Sequence, residues 1–211
     1  MLSKNVKKII DLLKENYAGV KIALKFKTPF QLLIATILSA QCTDERVNKV
    51  TPALFDKYKD AESLAGAGIE TIEKIIKPTG FYKNKARSLK GSAEAVMKNF
   101  GGKVPSEMTD LISLPGVARK TANVVLFNAF GKNEGIAVDT HVKRLSRRFG
   151  WTTQDNPDKI EKDLTREVEK EDWGVLTLLL MSHGRAVCAA RQPKCGECFL
   201  NKLCPSAFKI K

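Results

Sequence analysis

The 211-residue sequence predicts an all-α fold, and three observations carry that expectation. Apolar residues recur at three- and four-residue spacing along most of the chain, the period of a helix with one buried face. Residues that cap or open helices stand at the start of these runs, and glycine or proline interrupts them. No stretch alternates apolar and polar residues convincingly enough to read as a strand.

The elements follow in order. Residues 3–16, SKNVKKIIDLLKEN, mix charged and apolar groups at helical spacing. Thr28 and Pro29 read as cap and first residue of a helix over FQLLIATILSAQ, and Thr43 caps DERVNKVTPALFDKY. Asp60, Gly68 and Ser106 punctuate shorter elements. MTDLISLPGVARKTANVVLF, residues 108–127, reads as a short helix, a tight Leu-Pro-Gly-Val turn and a second helix with Ala122, Val125, Leu126 and Ala129 on one face. That pattern is a helix-hairpin-helix, its hairpin at about 113–119. Asp139 is a good N-cap for THVKRLSRR, and helical period returns over 157–169 and 171–187. GKNEGIAVD, residues 131–139, is extended and broken by glycine, so it reads as the crossing between two subdomains.

Composition narrows the function. The apolar runs are too short to span a bilayer and no secretory signal opens the chain, which predicts a cytoplasmic protein. The formal charge of +13 suits either a polyanionic partner or a strongly solvated surface. Its distribution favours nucleic acid. Lys83, Lys85, Arg87 and Lys90 form one acid-free cluster and Lys143, Arg144, Arg147 and Arg148 a second, while residues 185–211 hold six basic groups, Arg191 and Lys194 among them, against Glu197 alone. Hairpin amides around Gly116 and Ala118, at a helix N-terminus, can bind a phosphate without reading any base.

Lys120 stands out because a cation at the positive end of a helix is electrostatically misplaced. Taken alone it reads as a phosphate contact. Read instead as an amine nucleophile it must become less basic, since an ordinary lysine is neutral in only roughly one molecule in 2,500 at pH 7. Arg119 beside it, the helix end beneath it and partial burial would all disfavour the ammonium. At the other end of the chain, Cys188, Cys195, Cys198 and Cys204 form C-x6-C-x2-C-x5-C. In a reducing compartment that spacing predicts a metal rather than disulfides; an iron-sulfur cluster, a zinc ion and unligated thiols are all open, with the loose outer spacings favouring the bulkier cluster. Cys42, in an apolar helix context, reads as a small buried residue.

LPGVARKTANVV, followed by VDTHVKRLSRR, resembles the endonuclease III family of DNA glycosylases, and the likeness runs over nearly the whole chain. ILSAQCTD, residues 37–44, is similar to that family's first active-site segment, GFYKNKA, residues 80–86, to its DNA-wedging loop, and the terminal cysteines to its 4Fe-4S motif. Ala118 departs from the family's second hairpin glycine, and Phe81 stands where leucine is common.

The resemblance implies the helix-hairpin-helix glycosylase fold, with a six-helix subdomain over 22–133, a cluster subdomain over 1–21 and 134–211 whose cluster loop is 188–204, and an active site in the cleft between them. It makes Lys120 and Asp139 catalytic, with Ser39 and Asp44 in support; of the two histidines, His141 reads as a supporting hydrogen-bond partner and His183 as structural. Gln41 and Phe81 would fill the place of a flipped nucleotide, and Gly116, Ala118, Arg119, Lys143, Arg147, Arg191 and Lys194 would hold DNA. The four terminal cysteines would carry a 4Fe-4S cluster. The implied activity is excision of oxidised or ring-saturated pyrimidines from duplex DNA followed by strand nicking, by a monomer acting at the nucleoid of a prokaryotic cytoplasm. Two rivals are a monofunctional glycosylase of the same superfamily and a non-catalytic helix-hairpin-helix DNA-binding protein with a structural metal. Lys120 and the short chain count against the first, and the pairing of Lys120 with Asp139 against the second.

Overall fold

The computed structural model describes residues 5–210, so Ser3 and Lys4, expected to begin the first helix, lie outside it. The described residues contain helices, turns and coil but no strand. They divide into two compact units: Ile22–Lys132, and the described residues on either side of that segment.

The first helix, α1 (Val6–Asn16), belongs to the second of these units and buries Val6, Ile9, Ile10 and Leu13. Within Ile22–Lys132 lie α2 (Pro29–Leu38), α3 (Asp44–Lys57), α4 (Ala61–Ala65), α5 (Ile69–Ile76), α6 (Tyr82–Phe100), α7 (Met108–Ile112) and α8 (Arg119–Phe130). Thr28 and Thr43 cap α2 and α3 by accepting from the amides of Gln31 and Arg46, and Asp60 forms a capping box with Ser63 on α4. Helix α2 is buried from Leu32 to Leu38, as expected of a helix that is apolar on all sides. It packs against α3, α6 and α8, and α6 packs against α4 and α5. The helix ends at Leu38 instead of running on to Gln41, because Gln41 turns left-handed at φ 52°.

The hairpin is seated on a small-residue face of α6. Leu114 and Val117 are buried, Pro115 lies over Gly91, and Ser92 Oγ donates to the Pro115 carbonyl at 2.6 Å. Gly116 has φ +78°, and a Cβ added to it would stand 2.6 Å from Ser88 Cβ. Left-handed strain and overpacking therefore coincide at this glycine. Gly116→Ala is expected to destabilise the fold by about 2–4 kcal/mol, read as a lowered thermal midpoint. An unchanged midpoint would show that the turn is not held against Ser88.

After Asn133 the chain forms α9 (Thr140–Arg148), α10 (Pro157–Glu167) and α11 (Trp173–Ala186), with 3-10 turns at Lys170–Asp172 and Cys195–Glu197. Their core joins Ile9 and Leu13 of α1 to Val142, Leu145, Phe149, Trp151, Ile160, Leu164 and Leu176. Helix α9 crosses α11 closely because Gly184 leaves room for it. A Cβ there would come within 2.5 Å of His141 Nδ1 and 2.8 Å of Arg144 Nη2.

Candidate functional site

The hairpin delivers Lys120 to the second position of α8. Ala118 is the N-cap and supplies no side-chain acceptor, and the first turn contains no acid, so Arg119 and Lys120 add to the positive end of the helix. Such an end suits an external anion. Lys120 is exposed, which corrects the partial burial expected from sequence. The reason lies in the register of α8. Its inward face takes Ala122, Val125 and Leu126, which leaves positions 118–120 on the open side of the hairpin.

Two left-handed turns precede this surface in sequence. Gln41 (φ 52°) and Phe81 (φ 47°) both hold a conformation that costs a residue with a side chain about 1–2 kcal/mol. Both are exposed, and the Phe81 ring is 65% so. An aromatic ring held in water on strained backbone gains nothing for the fold, and residues of this kind gather at functional sites. Ser39 Oγ donates to the Thr36 carbonyl at 2.8 Å at the end of α2, and Asp44 opens α3. Cys42 is half-buried against the core and sits in this turn, not inside a helix as its apolar surroundings predict.

Asp139 caps α9, its Oδ1 accepting from the Val142 amide at 2.8 Å, and is itself only half-buried. On the same turn His141 Nδ1 meets Arg144 Nη2 at 3.1 Å. A guanidinium only donates, so Nδ1 is the acceptor and a neutral His141 ring carries its proton on Nε2. Burial lowers the His141 pKa, opposed by Asp139 and aided by Arg144 and Arg185. His183 is buried, its pKa pushed down to about 4 by desolvation. It joins the Tyr17 hydroxyl at Nδ1 (3.0 Å) to Cys198 Sγ at Nε2 (3.6 Å).

The basic clusters change character in three dimensions. Lys85 is buried and donates to the Thr79 carbonyl at 2.8 Å, while Lys90 donates to the Ala67 carbonyl, so only Lys83 and Arg87 of the first cluster are exposed. The second cluster is acid-free in sequence only. Asp155 accepts from Arg147 at 2.6 Å and pairs with Lys143 at 3.1 Å, and Lys143 followed by Arg147 holds its carboxyl below the ordinary value. These pairs are exposed and worth little to stability, so both cations remain able to exchange Asp155 for a phosphate. Arg144 and Arg148 are structural. Arg144 donates to the Gly184 and Cys188 carbonyls, and Arg148 to the Cys188, Ala189 and Ala190 carbonyls. Arg191 and Lys194 are exposed on the loop those arginines hold.

Cys188, Cys195, Cys198 and Cys204 are free thiols around one pocket of about 340 Å³, part of it open to solvent, which Phe149 and His183 also line. Among the described residues no three His, Cys, Asp or Glu side chains are drawn together as a site for a single ion. Burial first, and then the neighbouring cysteines, push the Cys198 and Cys204 thiols above their ordinary value. Arg148 Nη1 donates to Cys188 Sγ at 3.1 Å.

Residues 34–170, from α2 to the turn before α11, match the family described as HhH-GPD superfamily base excision DNA repair protein. The chain belongs to this HhH-GPD superfamily. Its hairpin, both left-handed turns, Lys120 and Asp139 lie inside the matched span, and the four cysteines lie beyond it. The chain is 55% identical over 199 residues to Endonuclease III of Synechocystis sp., covering 94% of this chain and 91% of that protein. It is also similar to two solved structures at 39% identity and a TM-score of 0.93. One is a non-covalent Endonuclease III–DNA complex, covering 99% of this chain and 98% of that one; the other is a trapped Endonuclease III–DNA covalent intermediate, covering 99% of each. Several contacts of the candidate residues in each unit escape a reading of the sequence: Ser88 and Ser92 under the hairpin, and, in the other unit, Asp155 between two cations and Tyr17 on His183. Only Gly184 leaves a signal, as a glycine inside a helical pattern.

Proposed function

We propose that this HhH-GPD chain is a bifunctional base-excision enzyme, a DNA glycosylase with AP lyase activity that removes oxidised or ring-saturated pyrimidines from duplex DNA. The observation that carries this is Lys120, an exposed amine at the positive end of α8, in a chain 55% identical to Endonuclease III.

The chemistry follows from the residues. The hairpin around Gly116, Ala118 and Arg119 holds a backbone phosphate, with Lys143, Arg147, Arg191 and Lys194 supplying further charge. The target nucleotide leaves the stack, and Gln41 and Phe81 occupy the vacated space. Lys120 Nζ bonds to C1′ as the C1′–N bond breaks, and the departing base takes the electron pair and a proton. Asp139, held by its own helix amide, stabilises the positive charge on the sugar or accepts the lysine's proton, with His141 and the Ser39–Asp44 turn in support. The C1′–O4′ bond then opens, O4′ taking up a proton, which leaves amine and sugar joined as an iminium that acidifies the C2′ hydrogen. Loss of that proton breaks the C3′–O bond, expels the 3′ phosphate and nicks the strand. Since Lys120 is exposed in the free chain, bound DNA must supply the exclusion of water at this step.

The cysteine pocket suits a 4Fe-4S cluster. Four thiols line one pocket, and their loose C-x6-C-x2-C-x5-C spacing leaves room for a group bulkier than a single ion. Cys188, Cys195, Cys198 and Cys204 would hold the cluster, whose chemistry is to bind the four thiolates and order the loop bearing Arg191 and Lys194. Purified without oxygen, the protein is expected to be brown, with about four iron and four sulfide per chain. A colourless protein with one zinc would overturn the assignment. No helix of the described residues is long and apolar enough to cross a membrane, and the proposed place of action is the cytoplasmic DNA.

The deciding assay uses duplexes carrying either an abasic site or one oxidised pyrimidine. Base release together with strand nicking is expected. Base release alone would indicate a monofunctional glycosylase, and binding without either reaction a non-catalytic DNA-binding protein.

A further inference from the structure

The buried Lys85 has no part in the chemistry above, and its position is costly. A lysine is almost never fully buried without a partner that repays the lost hydration. Lys85 is 6% exposed and occupies the fourth position of α6, directly after the turn that presents Phe81. Its ammonium reaches back to the Thr79 carbonyl at 2.8 Å, and Thr79 is itself buried, its hydroxyl donating to the Ile76 carbonyl at 2.8 Å. Between this anchored carbonyl and α6 lie only two residues, Gly80 at φ 70°, ψ 160° and Phe81 at φ 47°, ψ 27°. The first conformation is open essentially to glycine alone and the second is disfavoured for phenylalanine, so the turn does not hold itself. The Lys85 amide closes the other side by donating to the Phe81 carbonyl at 3.0 Å. One residue thus fixes the strained pair from both ends.

We infer that Lys85 is a positioning residue for nucleotide extrusion, whose buried ammonium locks the Gly80–Phe81 turn so that the Phe81 ring is presented rigidly to the duplex. Burial lowers the Lys85 pKa, and the group that opposes this is the Cys42 thiol, next to Gln41. A methionine of similar length would fill the space but leave the Thr79 carbonyl without its donor, and the turn would relax to cheaper backbone angles. This inference rests on the proposed base-excision activity and on Phe81 acting when a base leaves the stack.

The test compares single-turnover excision of an oxidised pyrimidine in duplex DNA with nicking of an abasic site in single-stranded DNA, where no stacked base must be displaced. A 2-aminopurine beside the lesion reports extrusion by fluorescence. Lys85→Met is expected to slow duplex excision about 10- to 100-fold and suppress the fluorescence rise, because displacement of a positioning group by about 1 Å has effects of that size. Single-strand nicking should stay within about twofold. In a Phe81→Ala background Lys85→Met should add nothing, and Lys85→Arg, which keeps a charged donor, should restore extrusion. Equal slowing on both substrates, additivity with Phe81→Ala, or unchanged duplex excision would each overturn the inference. Should Lys85→Met not fold, Lys85→Gln, polar but too short to reach Thr79, carries the same comparison. Wild-type protein that nicks neither substrate would instead overturn the base-excision reading itself.

Discussion

Lys120→Gln is expected to reduce nicking of abasic DNA by on the order of 10⁴-fold or more, because the amide nitrogen has no lone pair free to bond C1′ and the bound phosphates alone do not break a C–O bond. Little else should change. Position 120 is exposed and makes no contribution to the buried face of α8, and lysine and glutamine have similar helix propensities. Removing a cation from the positive end of the helix is, if anything, slightly favourable. The thermal midpoint should therefore stay put, and affinity for duplex DNA should fall by no more than one phosphate contact. Retention of nicking within tenfold of wild type would remove Lys120 from the nucleophile's role and return it to that of a phosphate contact.

Asp139→Asn should lose base excision by about 10²- to 10⁴-fold while leaving the fold intact. Asparagine caps a helix as well as aspartate does, so the bond to the Val142 amide survives and only the negative charge is lost. That makes Asn the informative substitution. Asp139→Ala would confound the loss of charge with roughly 1 kcal/mol of lost capping. DNA binding by Asp139→Asn should be equal or slightly tighter, since an anion has left a surface that also carries Lys143 and Arg147. An unchanged excision rate would leave Asp139 as a cap and nothing more.

Some of this molecule was legible in its sequence because the interactions concerned are local. Thr28, Thr43 and Asp139 accept from amides three residues on, and the Leu-Pro-Gly-Val turn carries its geometry in its own residues. The four cysteines share a pocket within one short segment. Part of the basic pattern is not legible for the opposite reason. Whether a charge faces solvent depends on groups distant in sequence: Asp155 for Arg147, the Ala67 carbonyl for Lys90, and carbonyls 40 to 44 residues away for Arg144 and Arg148. Lys85 lies only six residues from its partner, yet nothing in TGFYKNKA shows that the turn folds the lysine beneath itself. Lys120 was misread in the other direction, because the register that exposes it is set by which face of α8 meets the core.

The covalent step itself is open to direct capture. Borohydride added during turnover on abasic or oxidised duplex DNA reduces an iminium to a stable amine, and proteolysis with mass spectrometry then locates the cross-linked residue. One adduct is expected, on Lys120, that disappears in Lys120→Gln and persists, formed from abasic DNA, in Phe81→Ala. An adduct mapped to another amine, or trapping that survives in Lys120→Gln, would contradict Lys120 as the nucleophile.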